Sequence, residues 1–232
     1  REFGVSGTEE FDVAFGSVME RMRRIRSEIS AHDSAARYRD EFGVDVYLGE
    51  GRFTSPGTVE VEGEKLEFSR TIIATGARAA APPIPGLAEA GYLTNETIFS
   101  LTELPSSFGV LGGGPIGVEM AQTFQRLGSK VTVVEMADRI LPREDPDVSE
   151  ALTRRLVEDG VEVRTGIGLK GVTGGAEGGY LKTLHLDDGS DLGVEELLVS
   201  VGRAPNLERL NLENAGAEYD PRRGVEVKDY LQ

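Results

Sequence analysis

The stretch "VLGGGPIGVEMAQTFQRLGSKVTVVE", Val110–Glu135, constrains the fold more than any other. An apolar run enters Gly112, Gly114 and Gly117 at G-x-G-x-x-G spacing, an amphipathic run follows, and a second apolar run ends on an acid. Glycine alone says little, because it fills 30 of 232 positions. The order strand, glycine turn, helix, strand, acid makes the pattern specific for a dinucleotide-binding βαβ unit.

Each part has a physical job. Gly112 permits the tight turn, Gly114 lets the backbone approach a diphosphate, and Gly117 lets the helix pack close to the sheet. Pro115 costs little at a helix start, where its missing N–H would be unpaired anyway. The first-turn N–H groups from Ile116 on, with the helix dipole, then face the diphosphate. Glu135 closes the second strand, where a carboxylate accepts hydrogen bonds from an adenosine ribose and repels a 2′-phosphate. Arg139 is the one phosphate partner in the "MADRILP" that follows, so NADH is expected over NADPH. For Glu119, dipole stabilisation of the helix and contact with the nicotinamide end of the nucleotide both fit its position.

The α/β pattern continues beyond the motif. Strands are expected at Phe108–Leu111 and Lys130–Glu135, with a helix over Pro115–Leu127 stopped by Gly128. "DPDVSEALTRRLVEDG" predicts a second helix, with Asp145 or Asp147 as its N-cap and Gly160 just past its end; "VEVRTG" predicts a third strand. A β-rich stretch follows, with "GGAEGG" and "DDGS" as turns, and then a buried strand at "ELLVSVG". Strand, helix, strand, helix, strand is a Rossmann-like, doubly wound parallel unit.

More than a hundred residues come before it. Phe11–Phe42 has a helical rhythm, with Val18, Met22, Ile25, Ile29 and Ala36 on one face and Gly43 as the stop. The arginines of "RMRRIR" read as a solvated flank of that helix. "VDVYLG", "TVEVEG", "EKLEFS" and "RTIIAT" read as short strands, the middle pair turning at Glu62–Glu64. "ARAAAPPIPGL" reads as an irregular connector, and a domain boundary is expected near Pro105.

Composition narrows the function. With 40 acidic against 25 basic residues and a net charge of −15, the chain repels phosphate backbones and anionic lipid. No apolar run reaches the ~18 residues of a membrane span, and the start carries no signal-peptide pattern. Nucleic acid and membrane are therefore not expected partners; a small-molecule nucleotide is, in a cytoplasmic protein. With no cysteine and only His32 and His185 as histidines, no metal site and no catalytic side chain is expected within the chain.

Four segments in order, "TIIATGARAAAPPIPGL", "YLTNETIFSLTELP", "GVLGGGPIGVEMAQTFQRLGSKVTVVEMADRILP" and "LLVSVGRAPNLERLNLENAGAEYDPRRGVEV", carry a resemblance to the pyridine nucleotide-disulfide oxidoreductases, two-dinucleotide-binding flavoproteins. "GGGPIG" and "TNETIFSLTELP" lean toward the mercuric-reductase-like branch, beside lipoamide dehydrogenase. The resemblance implies FAD contacts at Thr75 and Gly76, with Glu50 and Gly51 by the adenine and Asn95 near the flavin nucleotide. It implies NAD(H) contacts at Gly112, Gly114 and Glu135, a nicotinamide-side acid at Glu119, and approach of Gly202 to the pyridine nucleotide. Met136 and Pro142 stand where glutathione reductases carry two 2′-phosphate-binding arginines, and Pro115 stands where they carry a mobile tyrosine.

The family's first FAD-binding glycine motif, its cysteine pair and its dimerisation domain have no counterpart in the sequence. The chain is accordingly expected to be an internal fragment. Residues 1–104 would be an incomplete FAD-domain portion with a long helix and a β-meander. Residues 105–232 would be an NAD(H) domain, with a return of the last strands to the first domain as the alternative. In the parent enzyme, implied to be a homodimer, hydride would pass from NADH to FAD and on to a cysteine pair. The fragment alone would be inactive. A stand-alone nucleotide-binding module is the competing reading.

Overall fold

The computed structural model describes residues 13–174 and 181–229. Helices α1 (Phe15–Ser30) and α2 (Ala35–Phe42) come first, followed by strands β1 (Gly51–Ser55), β2 (Thr58–Val61), β3 (Glu64–Glu67) and β4 (Ala77–Ala79). A short helix α3 (Leu87–Ala90) and a 3-10 turn (Ile98–Ser100) lead to β5 (Ser107–Leu111), α4 (Pro115–Leu127), β6 (Lys130–Glu135), α5 (Pro146–Glu158) and β7 (Glu162–Thr165). Then come β8 (Leu169–Gly174), β9 (Lys182–Leu186), β10 (Asp191–Val194), β11 (Glu196–Val199), β12 (Arg203–Pro205), α6 (Leu212–Ala215), β13 (Tyr219–Asp220) and β14 (Gly224–Val225).

The chain packs as two compact units. The first takes residues up to Arg26 together with Ala81–Val201; the second takes Ser27–Ala80 and the residues from Gly202 on. The packing therefore does not divide near Pro105. Leu93 bridges Leu198 in parallel, and Ile98 and Pro105 are buried with the first unit. Prolines mark where regular structure stops, which is not where a core stops.

The first unit is built on a parallel sheet in the order β11-β5-β6-β7. Its strands alternate strictly, because successive side chains leave a strand on opposite faces. Phe108, Val110, Val131, Val133 and Leu198 point to one face, where they meet Phe15 and Met19 of α1, Val118, Ala121 and Phe124 of α4, and Leu156 of α5. Phe108 stacks on Phe124 with ring centroids 4.5 Å apart. Burial of a side chain such as Phe124 stabilises by about 1.5–3 kcal/mol. Leu111, Val134, Leu197 and Val199 point to the other face, which is covered by a second, antiparallel sheet in the order β10-β9-β8.

Helix α4 runs over the expected residues, with Pro115 in its first turn and Gly128 in the left-handed region at φ +117°. Both signals are local, so the bounds needed no tertiary information. Helix α5 begins after Asp145, and β7 covers the body of "VEVRTG". "DDGS" is a turn; residues 175–179 of "GGAEGG" lie outside the described residues.

The single helix expected to reach Phe42 is instead two, and its stretch before residue 13 lies outside the described residues. The Ser34 hydroxyl accepts the Arg37 N–H at 3.2 Å and starts α2 afresh, which ends at left-handed Gly43. The expected apolar face is also displaced. Phe15 and Met19 are buried and Met22 packs against them, whereas Val18, Ile29 and Ala36 are exposed. Among the flanking arginines, Arg26 lies 4.6 Å over the Phe99 ring, and Arg23 donates to the Leu101 carbonyl at 3.3 Å.

The second unit holds the meander β1-β2-β3, closed by a two-residue turn with positive φ at Glu62 and Gly63. β4 pairs with β12, β13 with β14, and Phe53, Leu207 and Leu212 form a small core. "GRFTS" is β1, the first strand of the meander, which sequence patterning passed over. "VDVYLG" and "RTIIAT", expected as strands, are not strands among the described residues. Leu48 is 77% and Ile72 90% exposed. A β-type run becomes a strand only where a neighbouring backbone offers ladder partners.

Candidate functional site

In the parallel sheet the chain order reverses beside β5, since β6 and β7 lie on one side and β11 on the other. Open α/β sheets present their ligand crevice at such a switch point, beyond the carboxyl ends of the strands. The glycine turn leaves β5 there, and Ser200 leaves β11 beside it.

Three of the turn's glycines are fixed by neighbours. Gly112 has φ +104°, and a Cβ on it would lie 2.7 Å from the Ser200 carbonyl oxygen. A Cβ on Gly113 would lie 2.8 Å from Ile140 Cγ2. A Cβ on Gly117 would lie 2.0 Å from the Gly112 carbonyl oxygen, so α4 rests directly on the turn. Gly114 differs: nothing lies within 4 Å of the position a Cβ would take. The turn is closed by protein on three sides and open at Gly114.

Gly114 is also the N-cap of α4, with no side-chain cap. Pro115 and Glu119 are exposed there, Ile116 half-buried. Helix first-turn N–H groups have no intrahelical acceptor, so this opening presents donors and the positive end of the dipole. An anion such as a diphosphate fits it.

Glu135 stands against the same turn. Its Oε2 accepts the Gly113 N–H at 2.6 Å and its Oε1 the Ala137 N–H at 2.8 Å. A carboxylate offers about four acceptor positions, so capacity remains for ribose hydroxyls. Met136 beside it is 79% exposed. Arg139 is committed within its own loop, donating to the Pro142 carbonyl at 3.2 Å and lying 3.4 Å from Asp138; its buried Nε has no partner. A cleft of about 440 Å³ opens here, lined by Arg139, Ser149, Glu150, Thr153 and Thr165 among others.

Two parts of the turn escaped sequence reasoning. Gly113 lies between the named glycines and carries the bond to Glu135. The Ser200 hydroxyl lies 3.0 Å from the Leu111 carbonyl and 3.1 Å from that of Gly112, and its proton serves both. The available signal was one polar residue in the apolar run "LLVSV".

Asn95 lies in the first unit, half-buried in the turn between Thr94 and Thr97. Glu50, Gly51, Thr75, Gly76 and Gly202 belong to the second unit. There Thr75 and Asn206 are tied reciprocally: the Thr75 hydroxyl donates to the Asn206 carbonyl at 2.9 Å, and the Asn206 amide donates to the Thr75 carbonyl at 3.1 Å. Gly76 has φ +69° with nothing within 4 Å of a Cβ position, Glu50 pairs with Arg209, and Gly51 sits in β1. Gly202, at φ +150°, accepts the Ala80 N–H at 3.0 Å.

Residues 10–232 match the family described as pyridine nucleotide-disulphide oxidoreductase. The chain belongs to that family. Within it, the chain is 38% identical over 196 residues to a mercuric reductase of Bacillus cereus, covering 83% of this chain and 31% of that protein. It is 35% identical over 237 residues to a dihydrolipoyl dehydrogenase of Acholeplasma laidlawii, covering all of this chain and 67% of the relative. Among solved structures, the HOCl-induced flavoprotein disulfide reductase RclA from Escherichia coli, as its Cu(II) complex, aligns with a TM-score of 0.85 at 29% identity, over 95% of this chain and 50% of that one. The chain thus spans about a third of the mercuric reductases it matches and half of the matched flavoprotein. Its relatives in the family are oxidoreductases, and its α/β fold is shared with the flavoprotein. Among the described residues no helix is long and apolar enough to cross a membrane.

Proposed function

We propose that this region is the NADH-binding part of an FAD-dependent oxidoreductase of the family. The observation that carries the reading is the glycine turn, closed by protein at Gly112, Gly113 and Gly117 and open at Gly114. The diphosphate lies over Gly114 and the N–H groups of Ile116 and Gly117. Glu135, already oriented by Gly113 and Ala137, takes the ribose hydroxyls. Glu119 and Gly202 are the candidates for the nicotinamide side. Glu50, Gly51, Thr75, Gly76 and Asn95 are the proposed contacts of FAD. The nucleotide supplies a hydride, which in the whole, homodimeric protein goes to FAD and on to a cysteine pair.

NADH is preferred over NADPH on two counts. Glu135 would face a 2′-phosphate with like charge. Arg139, the nearest cation in sequence, already donates to the Pro142 carbonyl and lies beside Asp138.

Thermal shift of this chain with NADH, NADPH and FAD in separate runs tests the reading. A ligand bound only by the folded state stabilises it by about 2.7 kcal/mol at a hundredfold excess over its Kd. NADH is expected to raise the midpoint most, NADPH less and FAD little. A larger shift with NADPH overturns the Glu135 argument, and no shift with either nucleotide overturns the site. The cysteine-free sequence favours one competing reading, a nucleotide-binding module without redox chemistry. Flavin reduction by NADH in the longer protein separates the two.

A further inference from the structure

Away from the glycine turn, the antiparallel sheet of the first unit carries a second ordered set of polar side chains. Its inner face buries Val172, Leu184, Leu186 and Val194. Its outer face places one residue from each strand in a line. Thr173 Oγ1 of β8 lies 2.9 Å from His185 Nε2 of β9, and His185 Nδ1 lies 2.7 Å from Asp191 Oδ1 of β10.

The register explains the line. His185 pairs directly with Asp191 on one side and with Gly171 on the other. Gly171 has no side chain to hold the ring upright, so the imidazole leans diagonally to Thr173, two residues along. A Cβ on Gly171 would lie 4.0 Å from His185 Cδ2. Gly193 faces Thr183 on the same side, with nothing within 4 Å of a Cβ position. Thr173 is exposed and the His185 ring partly so.

Beside an ionised Asp191, which only accepts, a neutral His185 ring carries its hydrogen on Nδ1 and presents the lone pair of Nε2. The hydrogen of the Thr173 hydroxyl then points at Nε2. Hydroxyl, imidazole and carboxylate in that sequence make an activated nucleophile, recognised by geometry and not by chain order.

We propose that Thr173 is an activated hydroxyl that accepts acyl groups from electrophilic acyl donors, such as aryl esters, acyl phosphates or thioesters. Thr173 Oγ forms a bond to the carbonyl carbon while its proton passes to His185 Nε2. The tetrahedral adduct collapses, the bond to the leaving group breaks, and that group departs with the electron pair. His185 returns the proton to the leaving group or to water. Asp191 acts as a positioning residue, holding the imidazole in the tautomer that leaves Nε2 free to accept.

The test is acetylation of the purified 232-residue chain by p-nitrophenyl acetate, followed by peptide mass spectrometry. Acetyl is expected on Thr173 ahead of the other exposed hydroxyls, and Thr173→Val should lose it while keeping a β-branched strand residue. General-base assistance contributes about 10²–10⁴-fold, so His185→Gln should slow labelling of Thr173 by at least about tenfold. Asp191→Asn should slow it similarly, and Asp191→Glu, which keeps the carboxylate, should restore it. Far-UV circular dichroism melts confirm that each variant folds. Labelling of Thr173 no faster than that of other exposed hydroxyls, or unchanged in folded His185→Gln, overturns the proposal.

Discussion

The Glu135 carboxylate accepts the backbone N–H of Gly113 at 2.6 Å, binding the acid that ends β6 to the glycine turn that follows β5. One side chain therefore shapes the glycine turn and, in the proposed function, reads the ribose. The two roles separate by mutation. Hydrogen bonds to a charged group contribute about 1.5–3 kcal/mol. Glu135→Ala should lower stability by about 2 kcal/mol in urea denaturation and narrow any preference for NADH over NADPH. An unchanged nucleotide ratio in the folded variant would place ribose recognition elsewhere.

The glycines predict opposite outcomes from the same substitution. Gly117→Ala drives a Cβ to 2.0 Å from the Gly112 carbonyl oxygen, and overpacking of this kind costs about 1–3 kcal/mol. Gly114→Ala meets no protein atom within 4 Å, and Gly114 already has φ −72°, so its folding cost should stay below about 1 kcal/mol. Its loss should appear in nucleotide binding. Paired melting curves with and without NADH check this: a large fall in the free melting point of Gly114→Ala would contradict the open side of the turn.

Ser200 should behave as part of the turn. Its hydroxyl serves the carbonyls of Leu111 and Gly112, and an ordinary intramolecular hydrogen bond is worth about 0.5–1.5 kcal/mol. Ser200→Ala should lose that much stability and weaken NADH. A variant as stable as the parent with weaker binding would assign the hydroxyl to the ligand instead.

Asp159 predicts a response to acid. Burial pushes its carboxyl up, but hydrogen bonds from Gln122 and Arg126, with the charges of Arg126 and Arg155, more than offset this and hold it below the ordinary carboxylate range. A pKa depressed by folding gives stability that is full above the unfolded value, about 4, and is lost as pH falls through the folded value. The bonds run from the end of α5 to α4, at 2.7 Å from Gln122 and 2.9 Å from Arg126. Asp159→Asn should lower stability at neutral pH and flatten its decline below pH ~4. A denaturation series across that range, with the same slope in both proteins, would contradict this.

What was legible in the sequence is what neighbouring residues decide among themselves. Pro115 and Gly128 bound α4 because a cap is local. The apolar alternation of Phe108–Leu111 and Lys130–Glu135 marked two parallel strands because their period is short. The four ordered segments carried the family, and the spacing of Gly112, Gly114 and Gly117 located the turn. The break at Ser34 was also local, but the capping signal there was outweighed by an apolar rhythm running through it.

Tertiary structure decided what depends on residues far apart in the chain. "VDVYLG" and "RTIIAT" have strand-like composition, yet a strand exists only where another backbone completes its hydrogen bonds. No local rule pairs Leu93 with Leu198, so a boundary drawn at a proline missed which core 81–104 joins. Gly113 reads like any glycine until Ile140 and Glu135 close on it, and Ser200 like any serine until its hydroxyl reaches the turn. Thr173, His185 and Asp191 give no motif at all, since three strands and a register are needed to bring them into line. The sequence alone determined α4 and the strands on either side of it, the family and the glycine turn, because periodicity and caps act within a few residues. Only the fold decided which faces, carbonyls and side chains meet, because those contacts depend on packing across the chain.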